Sequence, residues 1–319
     1  MTGAGREFVA TGIGMLTPSG RTPAADTGAG RADWFDSRRE LGRGYKYLPP
    51  ACQYLLVATR AAVADSGGAL EAVGEERRAV AVGSNRAIAA VHDGMDRTIL
   101  ESGSAELSPA TAAYGAVNVL TGRVSVEHAC KGFNLTLTTP VIAGLEALAT
   151  GGRALRAGRS DVLIAGAMEE PPPPGAGTGR AEQGAIALLV ETAALARRRR
   201  ARGYGSIETQ TLVLPATAKG KSARRLLDGS MARLGAIGLP VHTVLDKSPT
   251  AEMVRTALAG HPVAAEHEPG DGCLRAMAVV ARLLAAGAED CLVAAAAGTG
   301  TVALARVRRW DRGDRSRTC

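Results

Sequence analysis

The stretch 132-GFNLTLTTPVIAGLEALATGGRALRAGRSDVLIAGAMEE-170 decides the fold. From Leu135 to Thr139 leucine alternates with β-branched threonine, a strand pattern, and Pro140, which has no N–H to give a ladder, halts it. From Gly144 the period changes. Leu145, Leu148, Gly152 and Leu155 share one helical face, and Glu146, Thr150, Arg153 and Arg156 share the other. Gly158 is the stop, and Asp161 to Gly166 follows as an unbroken apolar run, the pattern of a strand covered on both faces.

The same unit occurs again further on. When 153-RALRAGRSDVLIAGA-167 is set above 282-RLLAAGAEDCLVAAA-296, Arg153 pairs with Arg282, Gly158 with Gly287, Asp161 with Asp290 and Ala165 with Ala294, at a constant offset (282 − 153 = 129). Two copies of helix, glycine stop and buried strand in one chain predict a duplicated, layered α/β domain.

The opening stretch resembles the core of the β-ketoacyl synthases. Gly132, Asn134, Thr136, Thr139 and Gly144 match that family's GPN-x-T…TxC-x-x-G pattern, and 158-GRSDVLIAGAMEE-170 is similar to its G-x-AD-x-x-x-AGG-x-E. Residues 7-EFVATGIGMLTP-18 are similar to the V-x-TG-x-G-x-x-TP signature at the family's first strand, and 182-EQGAIALLVETAALARRRRARGY-204 looks like its GEGAG segment. The resemblance covers most of the chain in patches and is weakest after residue 240. It implies a thiolase-like αβαβα architecture with two duplicated halves, residues 1–182 and 183–308, followed by a charged, disordered tail, 309–319. It also implies a reduced cap, because the segments at 19–31 and 171–181 are shorter than their counterparts in active members.

The resemblance further implies where chemistry has been lost. The family's nucleophilic cysteine falls at Val141, which has no lone pair and no titratable proton. Its first catalytic histidine falls at Lys247, or in a second register at His242; its lysine falls at Pro262, and its second histidine persists as His267. Gly298-Thr-Gly300 is a worn form of the family's GFGG, with no phenylalanine near it. Removing a nucleophile costs more orders of magnitude than any remaining electrostatic effect restores, so condensation at this position is not expected.

Composition sets the remaining limits. The 319 residues suffice for a sizeable core, and with 46% hydrophobic but only 3% aromatic residues that core must be built from Ala, Leu and Val in close layers. The formal charge of +7 is spread along the chain apart from Arg197 to Arg200, which fits an acidic partner without demanding one. Cys52, Cys130, Cys273, Cys291 and Cys319 are scattered, odd in number and without CxxC spacing, so a reducing cytoplasm is expected rather than a disulfide framework. The start lacks an apolar signal segment, and Arg282, Glu289 and Asp290 interrupt the best candidate span, so no membrane association is expected.

Other motifs fail on spacing. Gly12-Ile-Gly14 lacks the third glycine of a dinucleotide loop and is followed by Pro18; 215-PATAKGKS-222 has proline where a phosphate loop needs its first glycine. No nucleotide cofactor and no nucleic-acid partner are expected. His261, His267 and Cys273 are evenly spaced but belong to no metal motif, and no metal is expected. His128 and Cys130 suggest a dyad, yet Cys130 precedes Gly132, where the family has a spacer, and a structural thiol is the better reading. Further helices are predicted over 49–65, near 111–120 and over 222–235, with a strand or turn at 122–130 and a helix beginning at Glu252 and Met253.

Three functions follow. The first, which the resemblance implies, is a cysteine-less partner of the chain-length-factor kind, which pairs with an active ketosynthase along Leu135, Thr136, Leu137, Thr138 and Thr139, helps shape the acyl tunnel in polyketide, polyene or fatty-acid-like synthesis, and meets an acyl carrier protein. The second is a divergent acyltransferase using Cys130 or Cys273. The third is a scaffold that binds the carrier protein alone.

Overall fold

The computed structural model describes residues 7–28, 33–173, 175, 180–215 and 220–311. In chain order these form β1 (Phe8–Leu16), α1 (Ser37–Leu41), α2 (Pro50–Asp65), β2 (Arg78–Gly83), α3 (Ala89–Ser102), α4 (Pro109–Ala112), α5 (Asn118–Glu127), β3 (Asn134–Leu137), α6 (Ala143–Arg156), β4 (Val162–Glu169) and β5 (Gly184–Thr192). After them come α7 (Ala193–Arg198), β6 (Gly205–Val213), α8 (Gly220–Arg233), β7 (Val241–Leu245), α9 (Pro249–Ala257), β8 (Val263–His267), α10 (Leu274–Ala285), β9 (Cys291–Ala296) and β10 (Thr301–Arg308).

The strands hydrogen-bond in the order β3-β2-β4-β5-β1-β6-β10-β9-β7-β8. Read inward from its own edge, each group of five has the same plan: β3-β2-β4-β5-β1 on one side, β8-β7-β9-β10-β6 on the other. The pairings match as well, with two parallel pairs at each outer edge and antiparallel pairs inward. Among the described residues, the strand pairing between the groups is Val9↔Ser206 and Ala10↔Gly205. The two expected sheets are thus two five-stranded leaves continuous through that short junction. Because β5 bonds to both β4 and β1, the first leaf runs to Thr192.

Alternation along the strands builds five layers. On β4, Leu163, Ala165 and Ala167 face a core shared with α6 and α10, whereas Val162, Ile164 and Met168 face α2. On β9, Val293 and Ala295 join that central core, and Leu292, Ala294 and Ala296 pack outward with α8 and α9. Short alanines let the central helices lie close: a Cβ on Gly144 of α6 would sit 2.2 Å from Met277 Cγ of α10. Gly12 and Gly14 serve the same end. A Cβ on either would strike α2 backbone at Ala62 or Ala58, within about 2 Å, so this GxG is a helix-packing surface.

Several local expectations are corrected. Residues 122–130 belong largely to α5, because Leu120 and Val124 bury one helical face while Val126, which gave the apparent alternation, is 74% exposed. The region near 111–120 holds α4, a 3₁₀ turn and only the start of α5. α9 begins at Pro249, capped by the Ser248 hydroxyl on the Ala251 N–H, ahead of Glu252 and Met253. The tail is placed as far as Asp311, since Trp310 packs with Val9, Ala193, Ala196 and Ala201; residues 312–319 lie outside the described residues. The same holds for 216–219 of the loop-like motif, for 29–31 of the first shortened segment and for 174 and 176–179 of the second. No helix among the described residues is long and apolar enough to cross a membrane.

Candidate functional site

The N-terminal tips of α6 and α10 meet near the middle of the molecule, and the candidate site is built where they meet. Pro140 ends the extended segment after β3, and the chain turns into α6 through Val141, whose φ is 65°. The Ile142 N–H donates to Pro140 O at 2.7 Å, closing a γ-turn of the rarer, strained form, and a β-branched residue is the worst suited to it. Val141 is buried, and its own N–H donates to Gly272 O at 3.0 Å. The turn thus aims residue 141 into the interior ahead of a helix, but the side chain is aliphatic and the amide is occupied.

Gly272 belongs to the strap 270–272, which runs from β8 to α10. Beneath it lie two glutamates that sequence reasoning missed. Glu169, at the end of β4, accepts from the N–H groups of Asn85, Arg86 and Cys273 at 2.6, 2.8 and 3.0 Å. Glu182, before β5, accepts from Leu274 and Arg275 N–H at 2.8 and 2.9 Å and from the Thr27 hydroxyl at 3.3 Å. Together they satisfy the first amides of α10, whose positive end favours carboxylates. Burial acts in the opposite sense and prevails, pushing Glu169 up to about 8 and Glu182 to about 7. Glu170 caps α2 through the Ala51 N–H at 3.3 Å and is likewise raised by burial, to about 7. The available signal was three carboxylates directly flanking the fully buried strands β4 and β5.

The residues that the resemblance sets at the family's catalytic positions are only partly brought together. Lys247 and His267 line one cleft of about 670 Å³, with Asp246, Arg255 and Asp271 also on its wall. Lys247 is exposed. His267 turns instead to the neighbouring strand, where its Nε2 lies 3.2 Å from Nδ1 of His242, the rings 18° from coplanar with centroids 5.5 Å apart. That is an in-line N–H···N bond, so the two lone pairs do not converge on a third atom. Burial lowers the affinity of both rings for protons. Val141 reaches this region through its bond to Gly272 and is not on the cleft wall.

The other candidates are placed elsewhere. Cys130 is buried, its thiol donates to His128 O at 3.6 Å, and burial pushes it up to about 11; the His128 ring pairs with the Thr59 hydroxyl at 3.0 Å. Cys273 occupies the tip of α10, fully buried, and its thiol is raised well above the usual range by burial and then by Glu169. Neither is poised as a thiolate. His261 lies 3.6 Å from Asp228, apart from His267 and Cys273, and among the described residues no three potential ligands cluster. The arginine run is partly consumed by the fold: Arg199 grips buried Glu191, and Arg197 pairs with Glu7 at 3.1 Å.

Among the described residues, the edge strand β3 pairs only with β2. Val80 and Ser84 N–H donate to Phe133 and Leu137 O, so the odd positions face the sheet and the backbone of Asn134 and Thr136 faces outward. Leu135, Thr136, Leu137 and Thr139 are half-buried and Thr138 is exposed. A mainly apolar cleft of about 350 Å³, lined by Tyr47, Met95, Leu107 and Tyr114 among others, opens beside α3.

The geometry agrees with what comparison finds. A family model described as "Beta-ketoacyl synthase, N-terminal domain" matches residues 41–214, more than half of the 319. The 3-oxoacyl-[acyl-carrier-protein] synthase 2 of Vibrio cholerae is 27% identical over 190 residues, covering 52% of this chain and 46% of that protein. The protein of the same name from Rhizobium meliloti is 26% identical over 141 residues, covering 44% and 32%. The chain therefore spans less than half the length of these curated relatives. Among solved structures, a type II PKS acyl-carrier protein in complex with its ketosynthase bound to the hexaketide superposes with a TM-score of 0.80 at 15% identity, covering 96% of this chain and 100% of that one. The ishigamide ketosynthase/chain length factor gives 0.78 at 22%, with the same coverage. At these identities the likeness shows the fold, thiolase-like and layered. By its matched domain and its fold, the chain belongs to the β-ketoacyl synthase family.

Proposed function

We propose that this chain is a non-catalytic ketosynthase homologue of the chain-length-factor kind, which pairs with an active ketosynthase and helps shape the tunnel for a growing acyl chain. The observation that carries this reading is Val141: the strained turn at the α6 tip is kept while the residue in it bears no nucleophile. The raised thiols of Cys130 and Cys273 favour it over an acyltransferase of separate mechanism. The β3 edge, with outward backbone groups at Asn134 and Thr136, supports a partner strand added there, and the cleft beside α3 supports a share in an apolar tunnel. An acyl carrier protein delivers the chain to the active partner.

The test is co-expression with its ketosynthase, followed by gel filtration. A stable heterodimer is expected, and a monomer indifferent to that partner would sink the proposal. Intact mass after incubation with an acyl thioester separates the acyltransferase reading, since an adduct on Cys130 or Cys273 would establish it.

A further inference from the structure

The strap 270–272 is laid directly over two carboxyls. A Cβ on Gly270 would lie 2.2 Å from Glu182 Cγ, and one on Gly272 would lie 2.7 Å from Glu169 Cγ and 2.8 Å from Glu182 Oε2, so both glycines are required for the strap to close. Past it, three successive amides are bonded to the pair: Cys273 to Glu169, Leu274 and Arg275 to Glu182. On its other side Gly272 O takes the Val141 N–H, and Asp271 O takes the Asn85 side-chain amide at 2.8 Å. The carboxyls therefore hold down the segment whose carbonyl fills the one backbone donor at residue 141.

We propose that Glu169 and Glu182 form a proton-holding latch: with a proton on the pair the strap stays shut on the Val141 N–H, and with both ionised it lifts and frees that donor for a ligand carbonyl. The inference rests on reading the α6 tip as a site emptied of its nucleophile. Two buried carboxylates bound to consecutive amides repel each other, and each is costly to ionise in a dry site.

The charged and titratable groups that face the pair come from every neighbouring element. From α10 come the Cys273 thiol and Arg275, which pairs with Asp26 at 2.9 Å. From the loop before β5 comes Arg180, which also pairs with Asp26. The strap contributes Asp271, which accepts from the Glu182 N–H at 3.2 Å and has Arg86 3.7 Å away. Glu170 is next in sequence to Glu169, and His267 stands at the head of the strap.

Lifting the strap wets the carboxyls and returns them toward their ordinary value of 4.5, from about 8 and about 7 when shut. Opening therefore rises with pH, about ten-fold per unit for one carboxyl, and levels off above about 8.

Hydrogen–deuterium exchange of the full chain from about pH 5.5 to about pH 8.5, normalised for intrinsic base catalysis, tests this. Peptides carrying the amides of Val141 and of Cys273 to Arg275 are expected to exchange at least about ten-fold faster at pH 7 than at pH 6, with a plateau above about 8. Glu169→Gln and Glu182→Gln are expected to flatten that slope. Normalised rates that stay flat in the wild-type chain, or an unchanged slope in both variants, would overturn the latch. If neither variant folds, Gly272→Ala replaces them; fast exchange at every pH is expected, and protection equal to wild type would count against the strap. No partner or acyl ligand is used, so failure here leaves the partner-subunit reading intact, and failure to find a heterodimer leaves the latch intact.

Discussion

Val141 keeps a conformation that costs roughly 1–3 kcal/mol although nothing at its side chain can use it. On the proposed reading, a sulfur placed there does not by itself make a catalyst, because the amide beside it is taken by Gly272 and the two nearby-strand histidines are bonded to each other. Val141→Cys is therefore expected to fold and to remain free of acyl adduct after incubation with an acyl thioester. An adduct at residue 141 by intact mass would show that the site lost only its nucleophile. Residue 141 stands out in the sequence through the register of its neighbours Thr139 and Gly144. The engaged amide and the His242–His267 bond do not, since each depends on two segments separated along the chain and joined only by folding.

At the scale of elements, legibility followed burial. The strands β1, β2, β4 and β9 are almost wholly buried, so their apolar runs announce them. α3 buries none of its residues, which left no apolar stripe to find, and the segment reads from sequence only as a mixed stretch. The helix α5 was hidden for a related reason: exposed Val126 lies two residues from buried Val124 and imitates a strand. The edge strand β3 makes its own prediction. Because the Thr136 N–H points away from β2, Thr136→Pro removes an outward donor and leaves the ladder to β2 in place. The fold is expected to survive by circular dichroism, while the proposed pairing with a ketosynthase weakens by about 1–3 kcal/mol, roughly five- to hundred-fold in Kd. Unchanged affinity would place the interface elsewhere.

For the molecule as a whole, the repeat seen in one helix and strand extends in plan to every strand of both leaves, while the offset of 129 residues itself holds for β3 with β8 (263 − 134) and β4 with β9 (291 − 162) and not for the other three pairs. The copies differ at the central tips, where Gly144 of one answers to Cys273 of the other (273 − 144 = 129) and buried carboxylates cap only α10 among the two. Those carboxylates give the chain an unusual dependence on pH. Glu169, Glu170 and Glu182 have folded values raised to about 8, 7 and 7 from 4.5, so the folded state binds more protons than the unfolded chain and stability falls as pH rises through that window. His128, His242 and His267 are lowered by burial from 6.5; their contribution is complete above that value and is lost only on acidification. Between about pH 6.5 and about pH 8.5 the carboxyls therefore act alone among these groups, lowering stability by up to about 3 kcal/mol and the melting temperature by several degrees. Buried Tyr54 and half-buried Tyr204, both raised, continue the same trend at higher pH. Calorimetry at the two pH values decides the matter, and a melting temperature that climbs from the lower to the higher would mean that the amide donors hold these carboxyls ionised after all.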